Sequence, residues 1–228
     1  MNHSQRVSIT LFVITVIGGI LRFLGLDATG LNVDEAATMG RILEWSEATF
    51  DWHSSTKQIF YYALVTGITD LFGRDILVVR GFSACCGVLT IPLLYLAGKH
   101  LHSETCGLLV AAMFAVLYSP LELGQLARCY SPAILLLVTM VVLFFEAEKA
   151  HGKHQTRYLV ILAGLAATTC ATVLLHYFFA AYAAALFGIW AVTLWWQGAG
   201  RRFVFDYGPI VFAFLLPLYP LFLSGFHN

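Results

Sequence analysis

Asp34 and Glu35, adjacent in the segment LNVDEAATMGRILEWSEA, are the residues of this chain best suited to proton chemistry. Neighbouring carboxylates project in different directions, so one can face a ligand while the other orients it or helps to hold a metal. A carboxylate partly withdrawn from water rises in pKa and becomes a usable general base. The same pair also suits the first turn of an amphipathic helix over 34–48, where the helix dipole favours negative charge. A second group, Gln125, Arg128 and Tyr130, lies in YSPLELGQLARCYSP. The planar donors of an arginine match phosphate oxygens two at a time, although an arginine at the end of an apolar run can equally snorkel. His53, Lys57, Tyr61 and Tyr62 form a third group, in which Lys57 is either a point charge for a phosphate or a headgroup anchor. Arg80, one turn inside an apolar run, calls for an anionic partner or a lipid. His176 ends another such run, as a pocket group or as a hydrogen-bonded helix terminus.

The elements that must position these residues are apolar helices. Of 228 residues, 59% are hydrophobic and only 11% charged, with a mean hydropathy of +0.79. A soluble domain carries about a quarter charged residues, so too little polar surface is present to cover a water-soluble globule. A formal net charge of zero gives no electrostatic support to a nucleic-acid partner. The five cysteines sit in apolar stretches with no C-x-x-C pair and read as small buried hydrophobes. No closed set of metal ligands is visible, which leaves cofactors open.

Apolar runs near the length needed to span a bilayer, roughly 20 residues, cover 7–24, 76–98, 104–119, 129–146, 157–175, 177–196 and 207–224. The first follows Arg6, lacks a small-residue cleavage site and reads as a retained span. Residues 57–73 are apolar but short and contain Lys57 and Asp70, which suits an interfacial helix. The fold class expected is therefore an all-α polytopic membrane bundle of about seven spans. It forms a single transmembrane domain over 1–228, with an external loop at 26–75 and no soluble module. With the N-terminus inside, the short inner segments hold Arg6, Lys99, Lys149, Lys153, Arg157, Arg201 and Arg202, in accord with the positive-inside rule. His151 and His154 read as part of a solvated inner loop. This topology puts the C-terminus outside and gathers Asp34, Glu35, Lys57, Arg80, Arg128 and His176 at one membrane face. Carboxylates beside several cations are what a site needs to deprotonate an acceptor and stabilise a phosphate leaving group.

The order of these motifs resembles the N-terminal module of the GT-C glycosyltransferases, in the protein-mannosyltransferase-like branch that includes bacterial aminoarabinose transferases. LNVDEAATMGRIL matches an acidic pair in the first external loop. DWHSSTKQIFYYALV keeps the Asp, His and Tyr-Tyr of a D-x-H-P-P-L-Y-Y segment, with Ser54–Ser55 in place of its prolines. FGRDILVVRGFSACCGVLTIPLLYLAGKHL answers a G-(x)n-R-x-x-S segment, SPLELGQLARCYSP a Q-x-x-R-x-Y motif, and LHYFF a His-Tyr at an external helix end.

The resemblance implies a polyprenyl-phosphate-linked sugar donor and transfer on the external face of a bacterial cytoplasmic membrane. In it Asp34 is the general base and Glu35 its support. Lys57, Arg80 and Arg128 hold the donor phosphate, while His53, Tyr61, Tyr62, Gln125, Tyr130 and His176 line the pocket. Family members usually continue well beyond this length. The alternative expectation is therefore a non-catalytic subunit packed within a larger membrane complex, or a fold completed by a partner membrane protein.

Overall fold

The computed structural model describes residues 2–28, 30–47, 58–176 and 178–215, with backbone only at 46, 202 and 213–215. Those residues are mostly helical, with no strand among them. The helices are α1 (His3–Phe23), α2 (Val33–Ser46), α3 (Ile59–Phe72), α4 (Ile76–Leu101), α5 (Glu104–Val116), α6 (Tyr118–Gln125), α7 (Tyr130–Ala150), α8 (Gln155–Leu175) and α9 (Phe179–Trp196). A short turn, α10 (Gly200–Arg202), then leads through a π-helix (Phe203–Tyr207) into α11 (Gly208–Leu215).

Local chemistry fixes several helix starts. Asn2 and Gln5 form a capping box at α1, and Asn32 and Glu35 form another at α2. Asp75 caps α4 through the Leu77 N–H, and Ser103 caps α5 through the Cys106 N–H. Gly25 and Gly73, at φ of 77° and 107°, make the left-handed turns after α1 and α3 that other residues adopt only with strain.

Five described helices are long and apolar enough to cross a membrane, and six if α5 and α6 count as one bent span. The predicted span 207–224 coincides with α11 only as far as the described residues reach. The short apolar stretch 57–73 yields the 14-residue α3. The apolar run 104–119 forms a bent pair of helices. The first stops at Val116, and α6 leaves at 59° to it. Pro120 supplies the reason, because it has no N–H for the Val116 carbonyl and its ring would clash there.

The helices fall into two compact units, Met1–Phe50 with Tyr62–Val138, and Asp51–Tyr61 with Thr139–Asn228. In the first, Val7, Ile91, Tyr95, Ala111 and Ala115 form a core joining α1, α4 and α5. Apolar Ile9, Phe12, Val16 and Ile20 remain exposed on α1, as expected of a face turned to lipid rather than water. At the α1 N-terminal end, Glu104 binds Lys99 at 2.7 Å and His3 at 3.4 Å. In the second unit Phe144 stacks on Trp190 at 4.0 Å. Tyr207 there donates to Glu148 at 2.8 Å and Tyr158 donates to Asp206.

Glycines let α4 and α5 approach backbone to backbone, as small residues do between membrane helices. A Cβ on Gly107 would stand 2.4 Å from the Tyr95 carbonyl oxygen, and one on Gly98 would stand 2.7 Å from the Gly107 Cα. Both obstacles are backbone and cannot swing aside. Gly107→Ala should therefore destabilise the protein by about 1–3 kcal/mol, the usual cost of overpacking. Gly188→Ala, where a Cβ meets nothing within 4 Å, should be neutral or slightly stabilising. Thermal unfolding of the two variants in detergent checks the contrast.

Candidate active site

Within the first unit, the C-terminal end of α1, the N-terminal ends of α2, α4 and α7, and the bend between α5 and α6 meet at one end of the bundle. Side-chain contacts between these elements define the site. At its centre is Glu35, 1% exposed. Its carboxylate receives Arg80 Nε at 2.9 Å on Oε1 and Arg80 Nη2 at 2.6 Å on Oε2, a two-pronged ion pair. Oε1 also accepts the Ala127 N–H at 2.9 Å, and Oε2 the Asn32 N–H at 3.4 Å. Arg80 spends its remaining donors on the Leu26 carbonyl at 2.6 Å and the Gly30 carbonyl at 3.2 Å. One buried pair thus ties the α1–α2 connection, α2, α4 and the loop after α6 together.

Asp34 takes the opposite environment. Its side chain is 63% exposed, and Arg128 Nη2 lies 3.9 Å from its Oδ2. Arg128 also donates from Nη1 to the Asp34 backbone carbonyl at 3.3 Å. The Arg128 side chain is only 13% exposed, and its Nε is buried with no hydrogen-bond partner among the described residues. Tyr62, on α3, and Tyr130, at the start of α7, are close enough to interact electrostatically with the same guanidinium. Burial alone would lower the Arg128 pKa, but the Asp34 carboxylate and the Tyr130 hydroxyl outweigh it and hold the cation firmly protonated.

The predicted site residues therefore separate by environment. Asp34, Arg128, Tyr62 and Tyr130 converge. Glu35 and Arg80 are buried beneath them and bound to each other. Gln125 is drawn toward α1, its Nε2 within reach of the Leu21, Arg22 and Leu24 carbonyls at 3.1, 3.4 and 3.0 Å. It satisfies carbonyls that a helix end leaves without partners. Tyr61, which is buried, and His176 belong to the second unit, where His176 Nδ1 accepts the Phe178 N–H at 3.1 Å. His53 and Lys57 lie outside the described residues. Among the described residues, no three His, Cys, Asp or Glu side chains gather closely enough to hold a metal ion.

Arg22 is not among the residues that the sequence singles out. It is wholly buried in the first unit, and its Nη2 donates to the Phe114 carbonyl at 2.9 Å. Its Nη1 donates to the carbonyls of Ala115 at 3.2 Å and Gly18 at 3.0 Å. The signal that could have found it was a lone arginine inside an apolar run with Pro120 breaking another.

The Glu35–Arg80 pair makes stability depend on pH. Burial pulls the Glu35 carboxyl upward, but Arg80 and the Ala127 and Asn32 N–H groups outweigh it and hold the carboxyl below its ordinary value. A carboxyl lowered on folding contributes stability that is fully present above its unfolded pKa, about 4.3 for glutamate, and is lost as pH falls toward the lowered value. Glu35→Gln leaves Arg80 buried without a counter-charge and should cost about 3–5 kcal/mol at pH 7. The deficit relative to the parent chain should shrink when unfolding is followed down to pH 4.

Residues 56–222 match the family model described as dolichyl-phosphate-mannose-protein mannosyltransferase. No curated protein and no solved structure matches the chain. The match covers most of the sequence, from just before α3 past the last described residue, and it includes Tyr62, Arg80, Arg128 and Tyr130. It fits an all-helical chain with five or six helices able to cross a membrane, and it begins after Asp34 and Glu35. This protein belongs to the dolichyl-phosphate-mannose-protein mannosyltransferase family of membrane glycosyltransferases.

Proposed function

We propose that the chain transfers a sugar from a polyprenyl-phosphate donor to an acceptor hydroxyl at the external membrane face, with Asp34 as general base and Arg128 as the donor-phosphate ligand. The observation supporting this reading is the juxtaposition of an exposed carboxylate with a largely buried guanidinium 3.9 Å away. The acceptor hydroxyl loses its proton to Asp34 as its oxygen attacks the anomeric carbon of the donor. The bond from that carbon to the phosphate oxygen breaks, and the phosphate departs with the electron pair. Arg128 offers the departing phosphate parallel N–H groups and a full charge where negative charge accumulates.

Tyr62 and Tyr130 interact electrostatically with the guanidinium and are assigned to its surroundings in the site. Lys57 remains a candidate second phosphate cation, and His53, Tyr61 and His176 remain candidates for the pocket wall. Glu35 and Arg80 act differently from the roles implied by the family resemblance. Their charges neutralise each other, so their contribution is to fix the backbone on which Asp34 and Arg128 stand. Glu35 is adjacent to Asp34 and bonds the N–H of Ala127, which is adjacent to Arg128.

Sugar transfer by the purified chain from a polyprenyl-phosphate sugar tests the proposal. Asp34→Asn should lower kcat by about 10²–10⁴-fold, the range for loss of a general base. Arg128→Met should raise the donor KM as well as lower kcat. An Asp34→Asn variant as active as its parent would remove the base assignment. A parent chain inactive with every donor, alone or with partner membrane proteins, would favour the non-catalytic subunit.

A further inference from the structure

We propose that Arg22 is a positioning residue: by capping the broken end of α5 it sets the α5–α6 elbow and so the place from which Arg128 meets Asp34. The inference rests on the assignment of Arg128 and Asp34 above.

Where Pro120 breaks the helix, the carbonyls of the last turn of α5 lose the N–H groups that a continuous helix would have supplied. Two of them, Phe114 and Ala115, are taken instead by Arg22 from α1. The Arg22 guanidinium also lies 5.0 Å from the Phe114 ring centroid, over its face. No carboxylate pairs with this arginine among the described residues. Its buried charge is balanced by the negative end of the α5 dipole, which the break directs at it. A cation without a carboxylate at that depth is costly, and its retention is explained by the fit to those carbonyls.

The space around Arg22 comes from glycines on three helices. A Cβ on Gly87 of α4 would stand 2.6 Å from Arg22 Nε and 3.0 Å from its Cδ. One on Gly18 of α1 would stand 3.2 Å from Nη1, and one on Gly124 of α6 would stand 3.3 Å from Nε. Gln125, at the far end of α6, returns the cap by serving the α1 carbonyls around Arg22. The end of α5 before the elbow and the far end of α6 after it are thus both tied to the last turn of α1. Three residues beyond Gln125 stands Arg128. An elbow free to open would carry the guanidinium away from Asp34 while leaving the Glu35–Arg80 pair one N–H short.

The distance between spin labels on genetically encoded amino acids at Ala36 of α2 and Glu122 of α6, both exposed positions, reads the elbow directly. Arg22→Met removes the cap, and Gly87→Ala dislodges Arg22 without altering it. Both should broaden or lengthen the label distance and raise the donor KM at least about tenfold, the scale of a lost charge-assisted contact. Gly81→Ala, on the same helix as Gly87 but with nothing within 4 Å of an added Cβ, should change neither. A merely structural arginine would lower the melting temperature yet leave both readings in the folded fraction as they were, and that result overturns the proposal. So does a moved label distance with an unchanged donor KM in an active chain. If Arg22→Met does not fold, the Gly87→Ala and Gly81→Ala pair decides. A distance that moves in a chain that binds no polyprenyl-phosphate sugar preserves the elbow assignment and removes the proposed donor.

Discussion

Two opposite charges placed out of reach of water determine how this end of the bundle is built. Removing a carboxylate and a guanidinium from solvent costs several kcal/mol per ion, offset only when the geometry is good and the remaining polar atoms are satisfied. Glu35 and Arg80 meet that condition with a two-pronged bond, two further N–H donors and two backbone carbonyls. Every one of those partners comes from a different stretch of chain than Glu35's own helix interior or from its cap. The arrangement therefore tolerates little displacement of α2, α4 or the loop at Ala127.

The second constraint is the treatment of helix ends. An apolar environment offers no water to orphan carbonyls, so a helix that stops inside it needs partners from elsewhere in the chain. Arg22 supplies them to α5 and Gln125 supplies them to α1. These capping contacts and the central ion pair lock the backbone. Above them the exposed Asp34 carboxylate stands beside the largely buried guanidinium of Arg128, which also bonds the Asp34 backbone carbonyl. A guanidinium fixed by packing on a firm backbone is what a chemical site requires.

The sequence made the fold class plain because the shortage of charge and the repeated long apolar runs admit few other architectures. Helix α2 was readable from its acidic start, and Asp34 with Arg128 from the cost of ionisable groups near lipid. The pairing of Glu35 with Arg80 was not readable. The residues are 45 apart, and a cation near a span end gives no sign of whether its partner is a carboxylate or a phosphate. The contacts of Gln125 with α1 were unreadable for the same reason, since a motif position says nothing about which helix end an amide will cap. Hydropathy alone gave the apolar run over 104–119, where Pro120 could have marked the bend.

That bend changes how the lipid meets the protein. Thirteen residues give α5 a length of roughly 20 Å at 1.5 Å per residue, well short of the ~30 Å of hydrocarbon in an ordinary bilayer. Only together with α6 does it reach that length, so a crossing made here takes in the bend and the carbonyls that Arg22 serves.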